Sequence, residues 1–310
     1  GVEPGNGYRY HYFKTPGTFV VSQTYGDETS RVDVLLVAGG GGGGSRSGGG
    51  GGAGGVAWAQ DIPIPGPEGR GASIPIVVGT GGDGGPPNQG NPGSNGLDST
   101  FGAAPNPYYF IAKGGGHGAC DSSTSGAPGG SGGGTHYGPP DPGVEGTGIQ
   151  PQQNPGKPWV TNSQYGHPGS VGAASPNWQS GAGGGAGGAA SNGDQSNRGE
   201  AGESVNLQNV WNVPYYMPGP DPYRPAINPK PQYHYGGGGG AGDYNPYISQ
   251  RFPAGAGYGG GGIGGPPGSG DGQDATDGLG GGGGGGAGTN AGPRGGSGGN
   301  GIVVIRYQVV

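Results

Sequence analysis

Seven stretches of the chain, 39–44, 48–55, 129–134, 181–190, 236–242, 255–265 and 278–288, consist of glycine interrupted mainly by alanine. Such runs cannot form ordinary helices, because each glycine costs ~1 kcal/mol relative to alanine there and no apolar face exists to bury. They also dominate the composition, with 90 Gly and 32 Pro among 310 residues, beyond the ~25–30% for the pair that reads as low complexity. Ile, Leu, Val and Phe total only 40, below the ~20% share that accompanies a packed core, so one large apolar core is excluded. Charge-driven disorder is a poor description as well, since a net charge of −6 with 10% charged residues is weak.

What the runs can be follows from their spacing. Glycine does not recur at every third position with two other residues between, which excludes collagen, and the calcium-binding nonapeptide signature is missing. A flexible linker is one reading of any single run. The other is a bundle of polyproline-II-like glycine helices, with three residues per turn, ~3.1 Å rise and every N–H and C=O pointing outward to a neighbour. Ordering a residue costs ~1–2 kcal/mol and a hydrogen bond returns a net ~0.5–1.5 kcal/mol, so only runs bonded to several neighbours can persist. The runs are therefore expected to pack together under a β-sheet, the alternative being irregular glycine-rich loops lying on that sheet.

The apolar residues are local. Twenty-one of the 40 fall in three windows, 17–37, 54–78 and 302–310. Residues 8–13 and 18–21 have β-favouring sequences joined by Pro16-Gly17, which reads as a hairpin. Residues 32–37 are nearly continuously apolar, as in a strand covered on both faces, and 302–310 is the clearest strand. A C-terminal strand of that kind must be buried, and its only comparable partner is 32–37, so the two ends of the chain are expected to meet in one sheet. Pro63 and Pro75 remove ladder donors and place their segments at edges or strand starts. The fold class expected is all-β and irregular: a small sheet or sandwich joining N-terminal strands with the C-terminal strand, a polyglycine-II-like bundle, long Pro/Tyr-rich loops and essentially no α-helix. The chain reads as one glycine-rich domain, 1–310. Within it 1–82 and 295–310 form the β-scaffold, and 83–294 holds the glycine runs with inserts 117–180, 191–235 and 243–253.

Several functions are disfavoured by composition. Cys120 is the single cysteine, which allows neither a disulfide framework nor a cysteine zinc site. No run of about eighteen apolar residues exists, so membrane insertion is not expected; the chain starts at Gly1 rather than Met, which reads as a processed end or a fragment boundary. Four Lys and nine Arg are scattered among 19 acids, leaving no basic footprint for nucleic acid. Two Gly-x-Ser-x-Gly matches, at Ser131 and Ser297, lack the strand-to-helix context of a nucleophile elbow, and glycine abundance produces them by chance. Gly156-Lys157 runs into Pro158 instead of the Ser or Thr of a phosphate loop. His11, His117, His136, His167 and His234 show no metal-ligand spacing. No enzyme and no obligatory cofactor are expected.

Two groups stand out. Asp271, Asp274 and Asp277 are three apart, which stacks them along one face of a three-residue-per-turn helix, where they could share Ca²⁺; three solvated loop acids are the plainer reading. The segment 205–258 concentrates Trp211, Tyr215, Tyr216, Tyr223, Tyr233, Tyr235, Tyr244 and Tyr247 among prolines that pre-order a loop. Rigid amphipathic rings of this kind suit receptor or glycan contact, cladding of a side-chain-poor scaffold, or contact between subunits.

The sequence resembles the glycine-rich domain of phage tail and virion structural proteins. The resemblance rests on residues 7–21, on 32–38 running into Gly39–Gly44, on Val77-Val78-Gly79-Thr80-Gly81-Gly82, on 95–102, on 112–116 and on the ending 295–307. It implies a virion surface or fibre role, non-enzymatic, with other copies or other virion proteins and a host receptor or glycan as partners. It is also similar in style to phage tip adhesins in which polyglycine helices hold up receptor-contacting loops. A self-assembling extracellular filament or coat subunit, using the same loops for subunit contacts, is the alternative. An ice-binding glycine bundle would show flat regular repeats, which the long inserts here interrupt.

Overall fold

A computed structural model of the chain describes residues 1–3, 6–21, 31–64, 72–87, 90–106, 108–137, 143–151, 165–173, 179–192, 200–207, 234–242, 259–266, 270–288 and 292–309. Among them there is no α-helix. Ten strands form: β1 (Tyr8–Phe13), β2 (Gly17–Val20), β3 (Arg31–Val37), β4 (Val56–Pro63), β5 (Ser73–Val77), β6 (Ser99–Phe101), β7 (Phe110–Ala112), β8 (Val205–Asn206), β9 (His234–Tyr235) and β10 (Ile302–Gln308).

Two four-stranded sheets face each other, one ordered β1-β10-β3-β4 and the other β2-β5-β6-β7, with antiparallel pairing throughout. The chain ends do meet: β10 lies between β1 and β3, with Ile302 opposite Val37 and Val304 opposite both Leu35 and Tyr12. Alternation along the strands separates two apolar layers. Val32, Val34 and Leu36 with Val303 and Ile305 face Ile74, Ile76, Phe101 and Phe110 across the sandwich. Leu35, Val37, Ile302 and Val304 point the other way, into a second layer with Trp58, Tyr10, Leu207, Tyr235 and Leu279. The β3/β10 pair is thus buried on both faces, which is why its sequence is apolar without a break.

A bulge keeps β4 in phase. Val32 pairs with Ile62 but Val34 with Ala59, and Asp61 there has φ 59°. Its N–H donates to Asp33 Oδ1 at 2.9 Å while Arg31 donates to its carbonyl, also at 2.9 Å. The extra residue returns Ile62 to the inner face beside Ala57 and Ala59.

Two expectations are corrected. Residues 8–13 and 18–21 do not form a hairpin, because β1 pairs with β10 and β2 with β5; Pro16 and Gly17 carry the chain from one sheet to the other. Pro75 lies in β5, an inner strand of its sheet. Its carbonyl accepts the Gly102 N–H at 3.0 Å, so its proton-less nitrogen also faces the β6 side, where that short strand ends and no ladder donor is lost.

The described glycine runs form the expected bundle. In the two central runs, 39–45 and 48–55, N–H groups at every third residue go to one neighbour, so each of these helices has three donor rows. In 39–45, Gly39, Gly42 and Ser45 donate to Leu97, Ser94 and Asn91; Gly40 and Gly43 to Gly299 and Gly296; Gly41 and Gly44 to Gly52 and Gly49. Its carbonyls accept from Gly82 and Gly85, Gly115 and Gly118, and Gly283 and Gly286. Six neighbours therefore surround it, and 48–55 is enclosed in the same way. The reversal between these two helices needs only Arg46 and Ser47, at φ 50° and 53°. Alanines within the runs make a small apolar cluster of their own, with Ala182 and Ala241 buried together.

Candidate functional site

The richest sequence candidate is the aromatic insert, and the structure describes its base. β8 and β9 pair Val205 with Tyr235 and Asn206 with His234, so the chain leaves at 207 and returns at 234 through two adjacent strands. Leu207 and Tyr235, 1% and 2% exposed, sink into the apolar layer on the outer face of the β1-β10-β3-β4 sheet. Ser204 Oγ and His234 Nδ1 are 2.7 Å apart, and burial lowers the His234 pKa. Tyr235 thus clads the sheet. Trp211, Tyr215, Tyr216, Tyr223, Tyr233, Tyr244 and Tyr247 lie outside the described residues.

Asp271, Asp274 and Asp277 line one side of a glycine helix as their spacing predicts. Each carboxylate accepts a backbone N–H of the parallel neighbour: Arg294 at 2.9 Å, Ser297 at 2.8 Å and Asn300 at 2.9 Å. Arg294 also forks onto Asp274, at 3.1 and 3.2 Å. Burial is the largest single influence on Asp274 and pushes its pKa up, but the Arg294 bonds, the Ser297 N–H and the Arg294 charge together hold it below the ordinary value. Among the described residues no group of three or more His, Cys, Asp or Glu is arranged to hold a metal ion.

Comparable side-chain acceptors recur along the bundle. Asn300 Oδ1 takes the Gly81 N–H at 2.9 Å and Ser297 Oγ the Gly84 N–H at 3.4 Å. Asp98 Oδ1 takes Gly114 N–H at 2.8 Å, with Lys113 Nζ on its other oxygen at 2.6 Å, and Asn95 Oδ1 takes His117 N–H at 2.9 Å. The signal was present as polar residues three apart facing glycine runs.

At one end of the bundle, His136 is 4% exposed and stacks on Tyr137 with ring centroids 4.5 Å apart. Its Nε2 lies 3.4 Å from Asp121, which also pairs with Arg46 at 3.1 Å. Burial lowers the His136 pKa to about 4, outweighing the carboxylate. Of the two serine matches, Ser131 is fully buried, with no hydrogen-bond partner for Oγ among the described residues, and Ser297 serves the Gly84 amide.

A family model described as a glycine-rich domain matches residues 14–308, and the chain belongs to that family. No curated protein matches the sequence.

Proposed function

We propose, from the resemblance of its strand and glycine landmarks to virion proteins, that the protein is a non-enzymatic display scaffold on a virion surface, a tail fibre or similar appendage that holds its Tyr/Trp/Pro-rich insert toward a host receptor or glycan. The observation that carries the reading is the mount: 208–233 starts and finishes on β8 and β9, whose flanking Leu207 and Tyr235 are locked into the apolar layer on the central sheet. A loop fixed at both ends to a rigid base loses less freedom on binding, which suits recognition by rigid aromatic rings. The virion assignment comes from the family resemblance of the strand and glycine landmarks.

Alanine replacement of Tyr215, Tyr216 and Tyr223 in intact particles tests it. Lost adsorption with unchanged melting and unchanged particle assembly supports recognition. Unchanged adsorption with lower melting temperature makes the rings cladding, and lost assembly makes them subunit contacts; either result overturns the proposal.

A further inference from the structure

A polyglycine helix directs N–H rows outward in three directions, so the outermost helices of a bundle carry rows with no backbone partner. An unpaired backbone row is a template for another chain, as at the edge of a β-sheet, and natural proteins blunt such edges with side chains. In the 294–301 helix two rows are satisfied inside the bundle: Gly295, Gly298 and Gly301 donate to Gly85, Gly82 and Gly79, and Gly296 and Gly299 donate to Gly284 and Gly281. The third row, Arg294, Ser297 and Asn300, ends on the carboxylates of Asp271, Asp274 and Asp277.

The register explains how those carboxylates reach. Gly272, Ala275 and Gly278 of the Asp-bearing helix donate to the carbonyls of Arg294, Ser297 and Asn300. Each of these three residues is thus held through its C=O by one helix backbone and through its N–H by the adjacent side chain of that same helix. The Asp closes the groove that a further helix would enter. The device repeats one helix on, where Ser297 and Asn300 close the row of Gly84 and Gly81, and again where Asp98 and Asn95 close that of Gly114 and His117. The three ladders are contiguous, because Gly298 of the first helix donates to Gly82, and Ser94 and Leu97 of the Asn95/Asp98 helix donate to Asp83 and Thr80.

We infer that these N–H rows are sealed against lateral addition of a polyglycine helix from a second copy of the chain, and that the seal is the hydrogen-bond acceptor, with the charge incidental. The inference is independent of the function proposed above.

The test uses the full chain in sedimentation velocity over a concentration series, with amide hydrogen exchange read at Arg294, Ser297 and Asn300. Replacing Asp271, Asp274 and Asp277 together by Ala opens the row. The expected result is faster exchange at those three amides and a rise of sedimentation coefficient with concentration that exceeds the parent's. Replacing the same three by Asn keeps an acceptor while removing the charge, and is expected to behave as the parent in both readings. Fast exchange in the alanine variant with parent-like sedimentation overturns the inference, as does association of the asparagine variant equal to that of the alanine variant. Should the triple alanine variant lose its fold, Asn95→Ala with Asp98→Ala reads the same prediction at Gly114 and His117, and parent-like sedimentation there overturns it.

Discussion

A methyl group is too large for most of the bundle interior. A Cβ on Gly51 would press into the carbonyl oxygen of Gly41, and one on Gly42 into that of Asp83, closer than real Cβ atoms approach. Backbone atoms held by neighbours on every side cannot move aside as a side-chain tip can. Gly51→Ala is therefore expected to destabilise by about 3 kcal/mol, the upper end for overpacking, read as a lowered denaturation midpoint. A second residue-scale effect is electrical. His136 is neutral in the folded protein with a pKa of about 4, below the ordinary 6.5, because burial penalises its charged form. The unfolded chain binds the proton more readily, so this contribution is complete above pH 6.5 and is lost as pH falls toward 4, on the order of 3 kcal/mol in all. Melting temperature followed from pH 7 to 4 should fall less steeply in His136→Asn than in the parent chain. Equal slopes would remove His136 from the acid response.

Single side chains stand in for missing partners at several element ends. Ser99 Oγ donates to the Val37 carbonyl and accepts the Gly79 N–H, both at 2.8 Å and fully buried, tying β3 of one sheet to β6 of the other beside the bundle. Ser99→Ala leaves the buried Gly79 N–H without this acceptor and is expected to cost about 1–3 kcal/mol by the usual penalty, measured by denaturant unfolding. Gln150 closes the free edge of β7 in the same way, accepting the Lys113 N–H at 2.8 Å and donating to the Ile111 carbonyl at 3.1 Å. Elements whose apolar residues face two layers were legible from sequence: β3 and β10 read as continuous apolar strands and pair as expected. The path from β1 to β2 was not, because Pro16-Gly17 turn chemistry serves a hairpin and a change of sheet alike, and the choice rests on the pairing of β2 with β5 through Phe19 and Ile74. The Asp271, Asp274 and Asp277 stack was legible as a shared face, whereas its partners 23 residues downstream depend on which helices become neighbours. No local pattern specifies that.

At the scale of the molecule, β10 closes the central sheet. β10 fills the gap between β1 and β3, and the glycine helix leading into it bonds to Gly40 and Gly43. A chain ending at 299 would open the central sheet on both sides and is expected to lose its cooperative transition in calorimetry; a retained transition would show that the bundle folds without the sheet. Pairing between residues nearly 300 apart, such as Tyr8 with Gln308, also means that loop-closure entropy is met before contacts reward it, so slow folding is expected. The bundle interior brings together peptide groups in place of apolar side chains. Exposing apolar surface raises the heat capacity of unfolding and exposing polar surface lowers it. Unfolding this molecule should then show a heat-capacity increment per residue below the usual ~12–15 cal/mol/K, which flattens the stability curve and leaves the scaffold nearly as firm in the cold as in the warm.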